Sequence, residues 1–258
     1  MSNGFRQAVR DGKTLLGVFV KAASHQTIEL VARTGVDFAI VDAEHAPFDL
    51  TTLDRMALAG RAEQLPLLIR PPGLEPSFIG QALDVGLSGI VAPHIDSAQA
   101  AERLLDACRY DRGRRGFSPS TRAGGYGAPD ARAYREASDL GNSVWCQIED
   151  ASALANLDAI AAIDDIDCLF LGRADLALSL GVDAQSDAKV VEGVRATAAA
   201  GRRHGRSVGI FIGSTSEIAD LAVLGVTVFV CGSDQSWLLA EGRRIRREFG
   251  AVVDSALP

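Results

Sequence analysis

Apolar residues along this chain follow two rhythms that alternate. Short runs of aliphatic and β-branched residues, Leu15–Val20, Phe38–Val41, Leu67–Ile69, Gly89–Ala92, Val144–Ile148, Cys168–Leu171, Val208–Phe211 and Thr227–Val230, are almost free of polar residues. Each is followed by a segment of helical character. A run that is apolar at nearly every position has two faces to bury, as a strand does in a parallel sheet covered by helices. Punctuation supports the helices between. Ser24 predicts an N-cap and Gly35 a stop; Asp49 caps a helix carrying Leu50, Leu53, Met56 and Leu58; Pro76 opens the next and Gly86 closes it; another runs from about Ser97 to Arg109. Eight such runs with helices between them and no domain-sized linker predict a single (β/α)8 TIM barrel over residues 1–258. A doubly wound open sheet is the alternative, set aside because no Gly-x-Gly-x-x-Gly follows the first run.

The rhythm breaks once. From Tyr110 to Gly141 lies an insertion rich in arginine and glycine, including Arg112, Arg114, Arg115, Gly116, Arg122 and Gly124–Gly125. Loops of that length in a compact domain are usually functional or lie between subunits.

Composition narrows the possibilities without choosing among them. With 258 residues, 47% hydrophobic and 23% charged, the chain can bury a large core and is neither disordered nor membranous. A net charge of -7 disfavours a nucleic-acid partner. The basic cluster Arg243–Arg247 reads as the solvated face of a final helix whose apolar stripe is Leu238, Leu239, Ile245 and Phe249. Cys108, Cys146, Cys168 and Cys231 occur singly inside apolar runs, as expected of reduced thiols. The N-terminal residues contain no apolar signal region, and no stretch approaches a membrane span, so a soluble cytoplasmic protein is expected.

Candidate chemistry lies where the apolar runs end. Val144–Ile148 runs into Glu149 and Asp150, and Cys168–Leu171 into Gly172, Arg173, Ala174 and Asp175. On neighbouring parallel strands, Glu149 and Asp175 would emerge side by side, two hard oxygen ligands suited to Mg2+ or Mn2+ rather than zinc. His45 follows the second run and Arg70 the third. Each residue alone has a bland reading, as an incidental histidine, a surface arginine or a helix-capping carboxylate. Their common position after strand C-termini is where a barrel of this kind keeps its active site.

Asp42-Ala43-Glu44-His45-Ala46-Pro47, Arg70-Pro71, Leu83-Asp84-Val85-Gly86, Arg115-Gly116, Gln147-Ile148-Glu149 and Gly172-Arg173-Ala174-Asp175-Leu176-Ala177 together carry a resemblance that covers nearly the whole length. The chain resembles the class II, metal-dependent pyruvate aldolases of the HpcH/HpaI group, which includes 4-hydroxy-2-oxoheptanedioate and 2-dehydro-3-deoxy-sugar-acid aldolases. The resemblance implies a barrel of the phosphoenolpyruvate/pyruvate type. It also implies reversible cleavage of a 4-hydroxy-2-oxo acid to pyruvate and an aldehyde, through a pyruvate enolate held on Mg2+, Mn2+ or Co2+. Glu149 and Asp175 would be the metal ligands. Gln147, Gly172, Ala174 and Asp175 would bind substrate, and Arg70 would stabilise the enolate oxygen. His45 would be the base. Asp84 is the carboxylate the resemblance assigns to His45, whereas the strand order alone favours Asp42 or Glu44. A homo-oligomer, trimer or hexamer, is implied, with the insertion near a neighbour's active site. Two positions depart from the family turn: Arg173 replaces a proline and Ala177 a serine, with Arg173 expected either to point to solvent, the preferred reading, or to bring positive charge to the site. Citrate-synthase-like or acyl-thioester lyase chemistry on the same fold is the alternative reaction, and a non-catalytic metal-binding barrel the alternative role.

Overall fold

The computed structural model describes residues 2–127 and 130–256. In chain order the elements are α1 (Ser2–Arg10), β1 (Leu15–Val20), α2 (His25–Ala32), β2 (Phe38–Asp42), α3 (Leu50–Ala62), β3 (Leu67–Arg70), α4 (Pro76–Asp84), β4 (Gly89–Ala92), α5 (Ala98–Cys108) and α6 (Ala131–Gly141). They continue with β5 (Ser143–Ile148), α7 (Ala151–Ala155), α8 (Leu157–Ala161), β6 (Cys168–Leu171), α9 (Arg173–Ser179), α10 (Ala188–His204), β7 (Ser207–Ile212), α11 (Ile218–Val223), β8 (Val228–Ser233) and α12 (Asp234–Ala256). The eight strands close into one parallel barrel in sequence order, β8 pairing with β1. The expected caps form at Ser24 and Asp49, which accept from the backbone N–H groups of Gln26 and Thr52, and Ser97 caps α5 by accepting from that of Ala100.

Strand periodicity divides the core in two. Phe19, Phe38, Ile40, Leu68, Val91, Trp145, Cys168, Phe170, Val228 and Val230 fill the barrel. Their neighbours Val18, Val20, Ala39, Val41, Ile69, Ile90, Ala92, Val144, Cys146 and Ile148 pack outward against the helices. Gly17 is needed here, because a Cβ at that position would meet the Phe38 ring at 2.3 Å. Helix α1 plugs the N-terminal end, with Phe5 5.4 Å from Phe38 and 6.3 Å from Trp145 between ring centroids. Filled at that end, the barrel has an open, polar end only at the strand C-termini, where the inward series continues into Lys21, Asp42, Arg70, Gln147, Glu149 and Gly172.

The insertion holds helix α6 and, as a helix-to-strand connection, belongs to the N-terminal end, opposite the candidate chemistry. Most of its arginines are taken up by ion pairs. Arg115 reaches Asp84 at 2.6 Å and stacks 4.4 Å over the Tyr110 ring; Arg122 grips Asp54 at 2.7 and 2.8 Å; Arg135 bonds Asp111. Nearby, Arg6 and Arg109 are buried against Asp165 and Asp167. The last helix differs from expectation. Trp237 packs on the core, but Leu238, Leu239, Ile245, Phe249 and Val252 are all exposed, because α12 packs on its own barrel chiefly at its start, beside β1 and β8. The cysteines are unpaired, and burial pushes the Cys108 thiol up to about 12. No helix among the described residues is long and apolar enough to cross a membrane.

Candidate active site

Arg70 is the best-positioned cation in the molecule. It stands at the end of β3 with its guanidinium 4.7 Å above the Phe19 ring, donating from Nε to Asp42 Oδ1 at 2.9 Å and from Nη2 to Asp42 Oδ2 at 2.8 Å. Its Nε also lies 3.1 Å from Glu44 Oε2. Asp42 is fully buried. Burial alone would raise its pKa, but Arg70 and then Lys21 outweigh that and hold it below the usual carboxylate range. The fork is thus fixed on two sides, and Nη1 makes no hydrogen bond among the described residues.

Glu149 presents the opposite case. It is 1% exposed, just beyond the end of β5. Its Oε1 accepts from the backbone N–H of His94 at 2.8 Å, and Oε2 from the Gln147 side-chain amide. Its pKa is raised because burial outweighs these bonds and the nearby imidazole. The Gln147 Oε1 is buried with no partner. A Cβ at Gly172 would meet Glu149 Oε2 at 2.5 Å and Gln147 Nε2 at 3.1 Å, so only glycine lets the β6 turn pass this close to the carboxylate.

His94 joins the two halves. It adopts φ +53, a left-handed conformation that costs about 1 kcal/mol in a residue with a side chain. Its Nδ1 lies 3.1 Å from Asp150 Oδ2 and 3.5 Å from Glu149 Oε1, and its Nε2 3.6 Å from Glu44 Oε1. Partial burial would lower its pKa, but Asp150 and then Glu149 outweigh it and raise the pKa. Glu44, His94 and Glu149 each offer a ligand atom within 4.8 Å of the others. A buried carboxylate with a raised pKa, an orphaned amide oxygen and further carboxylates at the rim form a donor set that suits a hard divalent cation.

The residues singled out in the sequence distribute as follows. Arg70, Gln147, Glu149 and Gly172 all continue the inward series at the C-terminal mouth, and Ala174 and Asp175 lie in the first turn of α9 beside it. The Asp175 side chain is half-buried and makes no hydrogen bond or ion pair among the described residues. His45 sits at the rim, half-exposed, with its N–H bonded to Asp42 Oδ1 at 3.3 Å and Nε2 3.6 Å from Glu44. Asp84 is not brought to His45 within the chain; it ends α4 at the other end of the barrel, paired with Arg115. Arg173 does not point to solvent. It donates to Glu217 Oε2 at 2.7 Å and to the Phe211 carbonyl at 3.0 Å, so its charge is neutralised across the β6 and β7 loops. Sequence reasoning missed His94 and Lys21. The signal for both was available: His94 follows β4 directly, and Lys21 continues the odd-numbered inward series of β1.

Comparisons with known proteins show what the chain as a whole is similar to. Residues 15–239 match the sequence profile of the family described as HpcH/HpaI aldolase/citrate lyase. A hydroxypyruvate/pyruvate aldolase of Roseobacter denitrificans is 36% identical over 181 residues, covering 69% of this chain and 70% of that protein. A 5-keto-4-deoxy-D-glucarate aldolase of Salmonella paratyphi C is 31% identical over 250 residues, covering 96% of both. The crystal structure of a family protein from Burkholderia cenocepacia superposes with a TM-score of 0.90 at 31% identity, covering 96% of this chain and 99% of that one.

Proposed function

The chain belongs to the HpcH/HpaI aldolase/citrate lyase family, and from that premise we propose that it is a class II pyruvate aldolase, a carbon–carbon lyase that reversibly cleaves a 4-hydroxy-2-oxo acid to pyruvate and an aldehyde. The observation that carries the reading is the pair buried at the barrel mouth on the inward series: Glu149, a carboxylate whose pKa burial raises, and Gln147, whose Oε1 has no partner among the described residues.

Glu149 and Asp175 would hold a divalent ion, Mg2+, Mn2+ or Co2+, with Glu44 and His94 beside them. When bound, the ion supplies Lewis-acid polarisation of the 2-oxo group. The chain's residues do the rest. Arg70, braced by Asp42, offers Nη1 to the keto oxygen, where negative charge develops as the C3–C4 bond breaks. Gln147 Oε1 orients a water or a substrate hydroxyl. The turn Gly172–Asp175 presents backbone N–H groups, as a helix start does, to the pyruvate carboxylate. His45 takes the proton of the C4 hydroxyl in cleavage, directly or through a water, and returns it in condensation.

Assembly into a cytoplasmic homo-oligomer, trimer or hexamer, completes the proposal. The exposed apolar stripe of α12 supports it, because apolar residues lined up along one helix and left in water mark an interaction face. In such an assembly Asp84 would serve the His45 of a neighbouring copy.

The test is pyruvate formation from 4-hydroxy-2-oxo acids of varied length, on chelator-stripped protein with each ion added back, beside Glu149→Gln. Activity should return with metal and fall on the order of 10^3-fold in the variant. Metal-independent activity, or product only from acyl thioesters, would overturn the reading.

A further inference from the structure

Among the described residues, Lys21, Arg70 and Arg173 are the lysines and arginines that stand between a strand C-terminus and the first turn of the following helix. Two of them are accounted for. Arg70 is held by Asp42 and Glu44 with one nitrogen left for the keto oxygen, and Arg173 is closed by Glu217 and a main-chain carbonyl. Lys21 has no such assignment. Its ammonium meets Asp42 Oδ2 at 3.2 Å and has no other partner among the described residues, so two of its three N–H bonds stay open. The side chain is 29% exposed, which puts those donors in the mouth of the barrel rather than in its wall.

The backbone under Lys21 is fixed in place. Asp234, at the start of α12, accepts from the N–H of Lys21 at 3.0 Å and from that of Ala22 at 2.9 Å. Lys21 also continues the inward series through Leu15 and Phe19, and Phe19 is the ring beneath Arg70. In the closed strand order β1 lies across the ring from β5 and three strands from β6. A substrate with its pyruvate half on Gln147, Glu149 and the Gly172 turn, and its keto oxygen on Arg70, therefore extends its aldehyde half toward β1.

Resting on the aldolase reading, we propose that Lys21 is a specificity-determining residue that binds the aldehyde half, and that it selects an aldehyde carrying a carboxylate. A distal carboxylate at this point takes the two open N–H donors, while Asp42 remains on the third and keeps bracing Arg70. A neutral aldehyde leaves a desolvated ammonium half-satisfied, which costs affinity in the condensation direction and in cleavage alike.

The experiment compares kcat/KM for matched aldehydes condensed with pyruvate: glyoxylate against glycolaldehyde, and succinic semialdehyde against pentanal. The metal-loaded parent enzyme should prefer the carboxylated member of at least one pair by about tenfold or more. Lys21→Met should lose that preference, and Lys21→Arg should retain most of it. Exchange of the pyruvate methyl protons with D2O, measured on the same preparations, separates the two levels of the argument. No exchange by the parent would sink the aldolase reading itself. Exchange by the parent without any preference for a carboxylated aldehyde would overturn the inference about Lys21 alone. A uniform fall of both aldehyde types and of exchange in Lys21→Met, with the ratio kept, would also overturn it and make Lys21 a brace for Asp42.

Discussion

At the N-terminal end of the barrel, Asp167 has its oxygens fully engaged, whereas at the C-terminal end Gln147 has an oxygen with nothing to bond. Asp167 accepts from Arg6 Nε at 3.0 and 2.9 Å, Arg10 at 3.3 Å, the Ser143 hydroxyl at 3.1 Å and the Val144 N–H at 2.9 Å. Arg109, buried beside this cluster, bonds Asp165 and the Asn142 carbonyl. At the other end Glu149 accepts from the His94 N–H and the Gln147 amide, the Asp175 side chain makes no hydrogen bond or ion pair among the described residues, and Lys21 and Arg70 keep open donors there. Both ends use buried arginine and carboxylate. What separates them is the acceptors: Asp167 is filled, although Arg109 Nη2 beside it is buried without a partner among the described residues, and that network stabilises the barrel, whereas the end where Gln147 Oε1 is unbonded is preorganised for a ligand at some cost in stability.

The comparison can be broken from the closed end first. Asp167→Ala strands Arg6 without its main partner and leaves the N–H of Val144 unpaired, and should cost about 3–5 kcal/mol of folding stability. Denaturant unfolding reads this, and activity per folded molecule should stay near that of the parent. A loss below about 1 kcal/mol would mean the network contributes little.

At the open end the expected effect falls on rate. Arg70→Lys cannot reproduce the two parallel bonds to Asp42 and still offer a third nitrogen, so kcat should fall about 10^2-fold while the melting temperature changes little. Retention of activity within about threefold would show that a point charge suffices there and that the fork geometry is irrelevant.

A smaller effect sharpens the contrast through pH. Burial pushes the Asp165 carboxyl up from its ordinary 3.8, but Arg109 and then Arg6 outweigh it and hold it lower. A carboxylate with a lower pKa in the folded state than in the unfolded one adds stability that is full above about pH 4 and is lost as pH falls through the folded value. Asp165→Asn should therefore be less stable than the parent near neutrality, and the difference should close as the pH falls through the lowered pKa of Asp165. Thermal unfolding across that range checks it; a gap that stays constant with pH would assign the loss to packing instead of charge.

How legible all this was in the sequence depended on the range of the interaction concerned. The strands and the caps at Ser24, Asp49 and Ser97 followed from local rules, since an unbroken apolar run or a hydroxyl before a helix acts over a few residues. Period two was also sufficient to align Lys21, Asp42, Arg70, Gln147, Glu149 and Gly172 on the inward side, because each lies an even number of residues from a core position of its own strand. Only the closed barrel decided which of these meet. That Asp42 braces Arg70, that His94 takes a left-handed turn to reach Glu149, and that Glu217 neutralises Arg173 depend on side chains 28, 55 and 44 residues apart. The fates of Asp84 and of α12 were hidden for the same reason. A helix-to-strand connection places Asp84 under Arg115 at the far end, and α12 exposes its apolar stripe because its own barrel holds it chiefly at its start, beside β1 and β8. Periodicity specifies which side a residue faces; what waits on that side is decided by strand order and closure, which no local pattern contains.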